Sequence, residues 1–243
     1  MTVSTEPTQS ALTTEEIQLF RQNGYLKLRN SLTQDTVERL KTAIWKDINN
    51  EVEPLVRDSE NRVVRISDLV DRDPIFLKTA SCPMVLDPLE CLMGPNIELI
   101  KNRHNHATLR LSSEKRSGLH RDIKQWSRTI FTVLFYLEAT TVENGCTCLV
   151  PGSHHFPGIN GNIGDDLWTQ IISEQAVPVP LPAGSVLIID SMIMHRVGQN
   201  TTDSSRMSMT LGYHSVDELM DMPNPKRILV RGEGIYNGND QKY

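Results

Sequence analysis

The chain has 243 residues, with 25 Lys and Arg side chains against 30 Asp and Glu, and a formal net charge of −5. This length is ample for one sizeable core but short for two, and the acidic balance gives no electrostatic reason to bind nucleic acid. Apolar stretches such as residues 131–137 are far shorter than the roughly 18 apolar residues needed to cross a bilayer. We therefore expect no nucleic-acid partner and no membrane span.

The N-terminal residues 1–12 are rich in Ser, Thr and Gln and cannot bury enough apolar surface to become ordered. We predict a flexible tail there, followed by a single domain over residues 13–243. The tail has no basic region and no apolar core, so no signal peptide and a cytoplasmic location are expected. The four Cys residues form no C-x-x-C pair and are predicted to be buried free thiols.

The first predicted element is a helix that begins after a capping box of Thr13 and Glu16 and ends at Gly24. A short strand over residues 25–28 follows. A second helix is predicted after Thr33, because apolar residues recur there at helical spacing with charges on the other side. Its apolar positions are Val37, Leu40, Ile44 and Ile48.

Residues 52–75 mix charges with apolar residues in weak periodicity, which leaves a strand or an active-site cover open. A further helix is predicted over residues 83–93, ending at Gly94. Short strands punctuated by Pro and Gly follow it. They are predicted over residues 98–111, 130–137, 147–150, 185–189 and 207–214. Helices followed by strands indicate an α+β, mainly β protein whose helices pack outside a β-sandwich or barrel.

A metal-binding pattern lies between these strands. His120 and Asp122 are two residues apart, so on an extended backbone both side chains point to the same face. His195 comes far downstream, just after the apolar run 186–189. Two His and one carboxylate occupy one face of an octahedral iron(II) ion and leave positions open for a co-substrate and O2. An H-x-D pair alone is more often an exposed pair of side chains than a metal site. The residues that follow His195 are therefore needed to support the metal site.

Arg206 and Ser208 follow His195 on the next predicted strand, and their spacing puts both on one face. A keto-diacid co-substrate chelates iron through its keto-acid end and needs a counter-charge for its distal carboxylate. Arginine offers a planar fork that matches a carboxylate and stays charged when buried. Ser208 can add a hydroxyl to the same carboxylate. On its own, Arg206 would be interpreted as an exposed residue of a strand.

Together, these residues resemble the phytanoyl-CoA dioxygenase family of iron(II)/2-oxoglutarate oxygenases, including its ectoine hydroxylase branch. The similarity runs through His120 to Asp122, residues 143–154, and His195 with Arg206. The resemblance implies a double-stranded β-helix, a cupin-like jelly roll with outer packing helices. It also implies His120, Asp122 and His195 as the iron ligands, with Fe(II), the co-substrate 2-oxoglutarate and O2 as cofactors.

Co-substrate contacts follow from the same resemblance. Arg206 would bind the distal carboxylate of 2-oxoglutarate, Asn102 would contact it from the strand before the ligands, and Leu134 or its neighbour Thr132 from the strand after them. Trp126 looks like an aromatic residue of the ectoine hydroxylase branch and is a candidate substrate contact, with ordinary packing at the barrel rim as the alternative.

One departure from the family concerns Val197, because many relatives carry a small hydroxyl residue two positions after the second His. A hydrogen bond to the co-substrate is therefore missing or supplied by Ser208. Asp122 is intact, whereas halogenating members of the superfamily have a small residue there, so halogenation is disfavoured.

The substrate class is suggested by the polar run over residues 101–106. Alternation along a strand would put Asn102, His104 and His106 on one face, which can line the pocket, with His104 as a candidate substrate contact. A solvated edge strand is the alternative. Three further cations are expected near the pocket mouth: Arg65, Arg121 and Lys124. A small polar or anionic metabolite is the expected substrate.

The expected reaction is hydroxylation of an unactivated C–H bond, with succinate and CO2 as co-products and with specialised natural-product biosynthesis as the expected setting. Radical rearrangement, cyclisation, epimerisation or desaturation at the same cofactor site remain open. A non-catalytic jelly-roll binding protein is the alternative from another class. The sequence does not indicate the oligomeric state or the C–H bond attacked.

Overall fold

The computed structural model describes residues 10–112, 117–123, 130–156, 167–216 and 225–234. Five α-helices lie in these ranges: α1 Thr14–Asn23, α2 Gln34–Asn49, α3 Pro74–Ala80, α4 Pro83–Met93 and α5 Leu167–Glu174. Twelve strands lie in them: β1 Tyr25–Lys27, β2 Leu55–Arg57, β3 Val63–Ser67, β4 Ile97–Ile100, β5 His106–Arg110, β6 Ile130–Tyr136, β7 Thr147–Leu149, β8 Val177–Pro178, β9 Val186–Asp190, β10 His195–Val197, β11 Arg206–Ser215 and β12 Arg227–Arg231.

The strands form two antiparallel sheets. The larger sheet runs in the order β1-β9-β6-β11-β5-β3-β2, and β4 pairs with both β11 and β12. The smaller sheet has the order β10-β7-β8. Strand β11 is buried along its whole length at the centre of the larger sheet. This arrangement confirms the predicted mainly β jelly roll with helices outside it.

The first two helices form where local chemistry predicts them. The Thr13 hydroxyl accepts from the Glu16 backbone N–H while the Glu16 carboxylate accepts from the Thr13 N–H, and Gly24 ends α1 at φ 80°. In α2, Leu40 and Ile44 are fully buried against the larger sheet in one apolar core, whereas Ile48 is half-buried. The helices therefore cover the outer face of the larger sheet and leave its inner face for the cavity.

The prediction of a single strand over residues 98–111 is wrong, because a turn over residues 101–105 separates two strands, β4 and β5. Asn105 stabilises this turn from inside the protein: its side chain accepts from the Val70 N–H at 3.2 Å and donates to the Lys101 carbonyl at 3.1 Å. The turn places Asn102 in an exposed position, away from any strand. The predicted alternation through Asn102 and His104 therefore fails.

Other elements lacked a clear sequence signal. The ambiguous residues 52–75 form the hairpin of β2 and β3 and the start of α3. Helices α3 and α5 and strand β12 were not predicted, since each is too short for a periodic pattern to stand out. Residues 1–9 of the predicted tail lie outside the described residues, and residues 10–12 precede α1.

No helix in the described ranges combines the length and apolar character that crossing a membrane would require. The four cysteines are free, as predicted, but only Cys146 is fully buried.

Candidate active site

His120 and His195 are joined through their backbones. The His120 N–H donates to the His195 carbonyl, and the His195 N–H donates to the His120 carbonyl, both at 2.9 Å. The segment that carries His120 is thereby attached to β10 as one rung of an antiparallel ladder. The pairing brings the two imidazole rings to a centroid separation of 4.4 Å.

Each of the two rings is oriented by a backbone carbonyl. His120 Nδ1 lies 2.9 Å from the Gly118 oxygen, and His195 Nδ1 lies 3.1 Å from the Ile193 oxygen. A carbonyl can only accept, so in the neutral form of each ring Nδ1 carries the proton and Nε2 keeps a lone pair. This is the tautomer that a metal-binding imidazole requires.

Asp122 is held at the same point by hydroxyl and backbone groups. Its side chain is 5% exposed, and its backbone N–H donates to the Ser191 carbonyl at 2.9 Å. The Thr132 hydroxyl donates to Oδ2 at 2.9 Å and lies 2.9 Å from the Ser191 hydroxyl. The other oxygen, Oδ1, lies 3.5 Å from His195 Nε2. One carboxylate oxygen is thus anchored while the other faces the imidazoles.

His120, Asp122 and His195 fit a divalent metal ion. One ligand atom from each residue lies within 4.8 Å of the others. Burial lowers the pKa of His120, and the adjacent His195 lowers it further, so the imidazole is neutral and able to bind a metal. Burial alone would raise the pKa of Asp122, but His195, His104 and the Thr132 hydrogen bond together lower it. The donor set is that of a facial iron(II) site.

A cavity of about 260 Å³ opens between the two sheets beside this cluster. Its walls combine side chains of the larger sheet with Thr147, His195 and Val197 of the smaller one. The remaining lining residues are His104, His106, Thr108, Arg110, His120, Asp122, Thr132, Leu134, Ile189, Arg206, Ser208 and Thr210. Asp122 is the only acidic side chain among these described lining residues.

Two arginines stand side by side in this cavity. Arg206 and Arg110 are directly opposite each other on β11 and β5, and they are 4% and 7% exposed. Nη2 of Arg206 donates to the Gly145 carbonyl at 3.0 Å, and Nη2 of Arg110 donates to the Gly198 carbonyl at 2.8 Å. Two buried guanidinium groups at one end of a cavity favour an anionic ligand.

The glycines beneath these arginines are themselves in close contact. A Cβ atom at Gly145, whose φ is 80°, would lie 2.6 Å from the Gly198 carbonyl oxygen. Only glycine therefore fits at Gly145. The close approach sets the spacing of the two carbonyls that anchor the arginines.

Two further histidines line the cavity, and one of them lies against the metal-binding cluster. Nε2 of His104 lies 3.4 Å from Asp122 Oδ1, and its backbone has a left-handed φ of 50°. Burial lowers the pKa of His104, although Asp122 opposes the shift, and burial lowers the pKa of His106 to about 3. Both imidazoles are therefore neutral hydrogen-bonding groups.

The structure brings most of the predicted site residues together. The three predicted ligands, His104, Leu134, Arg206 and Ser208 all line the cavity, as does Thr132. Asn102 does not, because the turn that divides β4 from β5 leaves it exposed. Trp126 and Lys124 lie outside the described residues.

The two described cations expected at the mouth differ in position. Arg121 is buried and donates to the carbonyls of Ser153 and Phe156 at 2.9 and 3.0 Å, away from the ligand cluster. Arg65 is exposed on β3 directly opposite Thr108, on the face of the sheet that lines the cavity. Burial lowers the pKa of His106, and the charge of Arg65 helps to lower it further.

Some lining residues were missed from the sequence, chief among them Arg110. In a strand that begins at His106, alternation puts Thr108 and Arg110 on the same face as His106 and puts Ala107 and Leu109 on the other face. The predicted strand began at residue 98, before the turn, so only the polar residues 101–106 were assigned to the pocket. Alternation along the strand of Ser208 would likewise have put Thr210 on the same face as Ser208.

Comparison with known proteins agrees with the family resemblance of the sequence. The family model described as Phytanoyl-CoA dioxygenase (PhyH) matches residues 20–208. The peroxisomal phytanoyl-CoA dioxygenase of Homo sapiens is 22% identical over 240 residues, which cover 86% of this chain and 70% of that protein. The matched range includes His120, Asp122, His195 and both cavity arginines.

Solved structures share the fold. EctD from S. alaskensis, crystallised with 2-oxoglutarate and 5-hydroxyectoine, matches with a TM-score of 0.75 at 19% identity, over 88% of this chain and 80% of EctD. The epimerase SnoN, crystallised with Fe3+, alpha ketoglutarate and nogalamycin RO, matches with a TM-score of 0.72 at 21% identity, over 89% of this chain and 98% of SnoN. At these identities the likeness concerns the fold alone.

Replacing Asp122 with Ala should abolish tight binding of iron(II) while leaving the fold intact. Loss of a ligand should cost more than the ~10- to 100-fold that follows from losing an outer hydrogen bond to a ligand. Anaerobic titration calorimetry measures the affinity, and circular dichroism checks the fold. Asp203→Asn is the control, because Asp203 is exposed on a loop. Unchanged affinity in Asp122→Ala would contradict the ligand assignment.

Replacing Thr132 with Val should weaken iron(II) binding on the order of tenfold, because Asp122 loses the hydroxyl that orients it. Thr140→Val is a matched control: Thr140 is also buried, but its hydroxyl has no hydrogen-bond partner in the described part of the chain. Calorimetry should show normal affinity for the control. Equal affinities in both variants would argue against an orienting role for Thr132.

Proposed function

Because the chain belongs to the phytanoyl-CoA dioxygenase family, we propose that it is an iron(II)- and 2-oxoglutarate-dependent oxygenase that hydroxylates an unactivated C–H bond of a small polar metabolite. The observation that carries the proposal is a facial His-Asp-His donor set and a pair of buried arginines in one cavity. A co-substrate with a chelating keto acid and a distal carboxylate requires both features.

His120 and His195 would offer Nε2 to the metal, and Asp122 its oxygen Oδ1. When bound, iron(II) with 2-oxoglutarate and O2 supplies the oxidising chemistry, with succinate and CO2 as co-products. The chain's own residues contribute geometry. The carbonyls of Gly118 and Ile193 fix the two rings, and Thr132 fixes the carboxylate, so little reorganisation is needed when the ligands bind.

The arginine pair would receive the distal carboxylate of 2-oxoglutarate. Arg206 has Ser208 two positions on along the same face of β11, and Arg110 faces it from β5. A guanidinium fork forms bidentate hydrogen bonds with a carboxylate. The negative charge also offsets the repulsion between two buried cations. Because Val197 stands in place of a hydroxyl residue, the two arginines and Ser208 would be the polar partners of the distal carboxylate.

The primary substrate would lie on the side lined by His104 and His106. These neutral imidazoles, with the hydroxyls of Thr108 and Thr210, offer hydrogen bonds without a net charge. The described walls enclose about 260 Å³, below the ~300–1,000 Å³ of pockets that bind drug-sized ligands. Polar walls and limited volume support a small polar or anionic metabolite.

A different outcome at the same site is the second candidate. The fold neighbour SnoN is an epimerase and EctD was crystallised with a hydroxylated compound, so this fold accommodates more than one reaction and does not by itself select among them. Product mass decides between them, because hydroxylation adds one oxygen atom, desaturation or cyclisation removes two hydrogens, and epimerisation leaves the mass unchanged.

Succinate formation tests the proposed function. The purified protein with iron(II), ascorbate, 2-oxoglutarate and O2 should convert 2-oxoglutarate to succinate, faster when a small polar substrate is present. Asp122→Ala should form none, because its ligand set is incomplete. Chromatography measures succinate. Failure to form succinate with any candidate substrate, together with no 2-oxoglutarate binding in anaerobic titration, would favour a non-catalytic binding protein.

Replacing either cavity arginine with Met should raise the dissociation constant for 2-oxoglutarate about 10- to 100-fold, since a hydrogen bond to a charged group contributes ~1.5–3 kcal/mol. Anaerobic calorimetry on the iron(II)-loaded protein measures this constant for Arg206→Met and Arg110→Met. Arg39→Met is the control, because Arg39 is exposed on helix α2 and does not line this cavity. Iron(II) affinity should stay unchanged in all three variants. Normal 2-oxoglutarate affinity in Arg206→Met would contradict its role.

A further inference from the structure

Two cysteines on the smaller sheet form a thiol pair outside the proposed catalytic site. Cys148 lies in β7 and is half-buried, whereas Cys146 immediately precedes this strand and is buried. With one residue between them, the two side chains lie on the same side of an extended backbone. The Cys148 thiol donates to the Cys146 carbonyl at 3.7 Å. The pair is therefore preformed.

A cation faces Cys148 from the neighbouring strand. Arg196 of β10 is directly opposite Cys148 in the antiparallel register, where side chains share one face. The end of α5 orients its guanidinium, since Nη1 donates to the Ser173 hydroxyl at 2.5 Å and Nη2 to the Ser173 carbonyl at 3.5 Å. Reactive cysteines occupy such positively charged, partly exposed positions.

The two thiols differ in acidity. The hydrogen bond from the Cys146 thiol and the charge of Arg196 lower the pKa of Cys148 to about 6, against the opposing effect of burial. The same contact and burial raise the pKa of Cys146. Cys148 is thus the thiol of the pair that ionises more readily at neutral pH.

We propose that Cys148 is a peroxide-reactive cysteine and that Cys146 is its resolving partner. The Cys148 thiolate attacks one oxygen of hydrogen peroxide; an S–O bond forms, the O–O bond breaks, and the leaving hydroxide takes up a proton to become water. Cys148 is oxidised by two electrons to a sulfenic acid. Cys146 then attacks the Cys148 sulfur, the S–S bond forms, the S–O bond breaks, and water leaves with the Cys146 proton.

The location connects this chemistry to the cavity. Thr147, between the two cysteines, points to the opposite face of β7, where it lines the cavity and lies 2.8 Å from the Tyr136 hydroxyl. Gly145, which anchors Arg206 through its carbonyl, directly precedes Cys146. Oxidation of the pair therefore acts on the segment that holds the arginine end of the cavity.

Chemical trapping in the full chain tests the proposal. The reduced protein, kept in chelator to exclude iron-catalysed oxidation, is treated with hydrogen peroxide and dimedone at pH 7 and digested for mass spectrometry. In Cys146→Ser, dimedone should label Cys148 on the order of tenfold faster than Cys82 and Cys91, because thiolate fraction controls the rate. Those two half-buried cysteines are internal controls. In the unsubstituted protein, a peptide bridged between Cys146 and Cys148 should replace the label.

Arg196→Met keeps the length of the side chain but removes its charge, so labelling of Cys148 in the Cys146→Ser background should slow severalfold. Equal labelling of Cys148, Cys82 and Cys91 would overturn the proposal, as would the absence of a bridged peptide from the unsubstituted protein. An unchanged rate of Cys148 labelling in Arg196→Met would contradict the proposed electrostatic effect of Arg196 on Cys148. None of these results depends on iron or 2-oxoglutarate binding.

Discussion

The backbone pairing of His120 with His195 is the interaction on which the candidate site depends. Two hydrogen bonds of 2.9 Å join an irregular segment to β10, and the Asp122 N–H bond to Ser191 helps to fix the H-x-D residues relative to the second histidine. The pairing also continues the smaller sheet toward the larger one. Candidate metal ligands from distant parts of the sequence are thus held by the same kind of backbone hydrogen bond that holds the sheets.

The cavity is electrostatically divided. Two buried guanidinium groups, the His-Asp-His cluster and two neutral histidines line it. In the proposed function this arrangement would orient a dianionic co-substrate, with its distal carboxylate toward the arginines and its chelating end toward the candidate metal ligands. Asp122, the one carboxylate among the described lining residues, is balanced by the imidazoles around it. Charge complementarity would therefore set the direction in which the co-substrate binds.

The glycine contact beneath the arginines shows how sheet packing reaches the chemistry. Gly145 and Gly198 approach so closely that a side chain at the first would strike the backbone at the second, and each glycine carbonyl anchors one guanidinium. The same segment leads directly into the Cys146 and Cys148 pair. One short stretch of β7 and its approach thus serves both the interior of the cavity and the outer face of the smaller sheet.

The sequence by itself determined the features that depend on local spacing: the capping box of α1, the apolar face of α2 and the central strands. It also indicated His120, Asp122 and His195 as candidate metal ligands, and the structure brings these three side chains together. These are encoded by neighbours within a few residues or by motifs with known spacing. Asn102 was misplaced and Arg110 missed, because a turn held by Asn105 from across the fold interrupts an otherwise uniform pattern. Only the tertiary structure decided that Arg110 faces Arg206, that His104 contacts Asp122, and that Arg196 faces Cys148, since strand register and long-range packing set these distances and no local pattern encodes them.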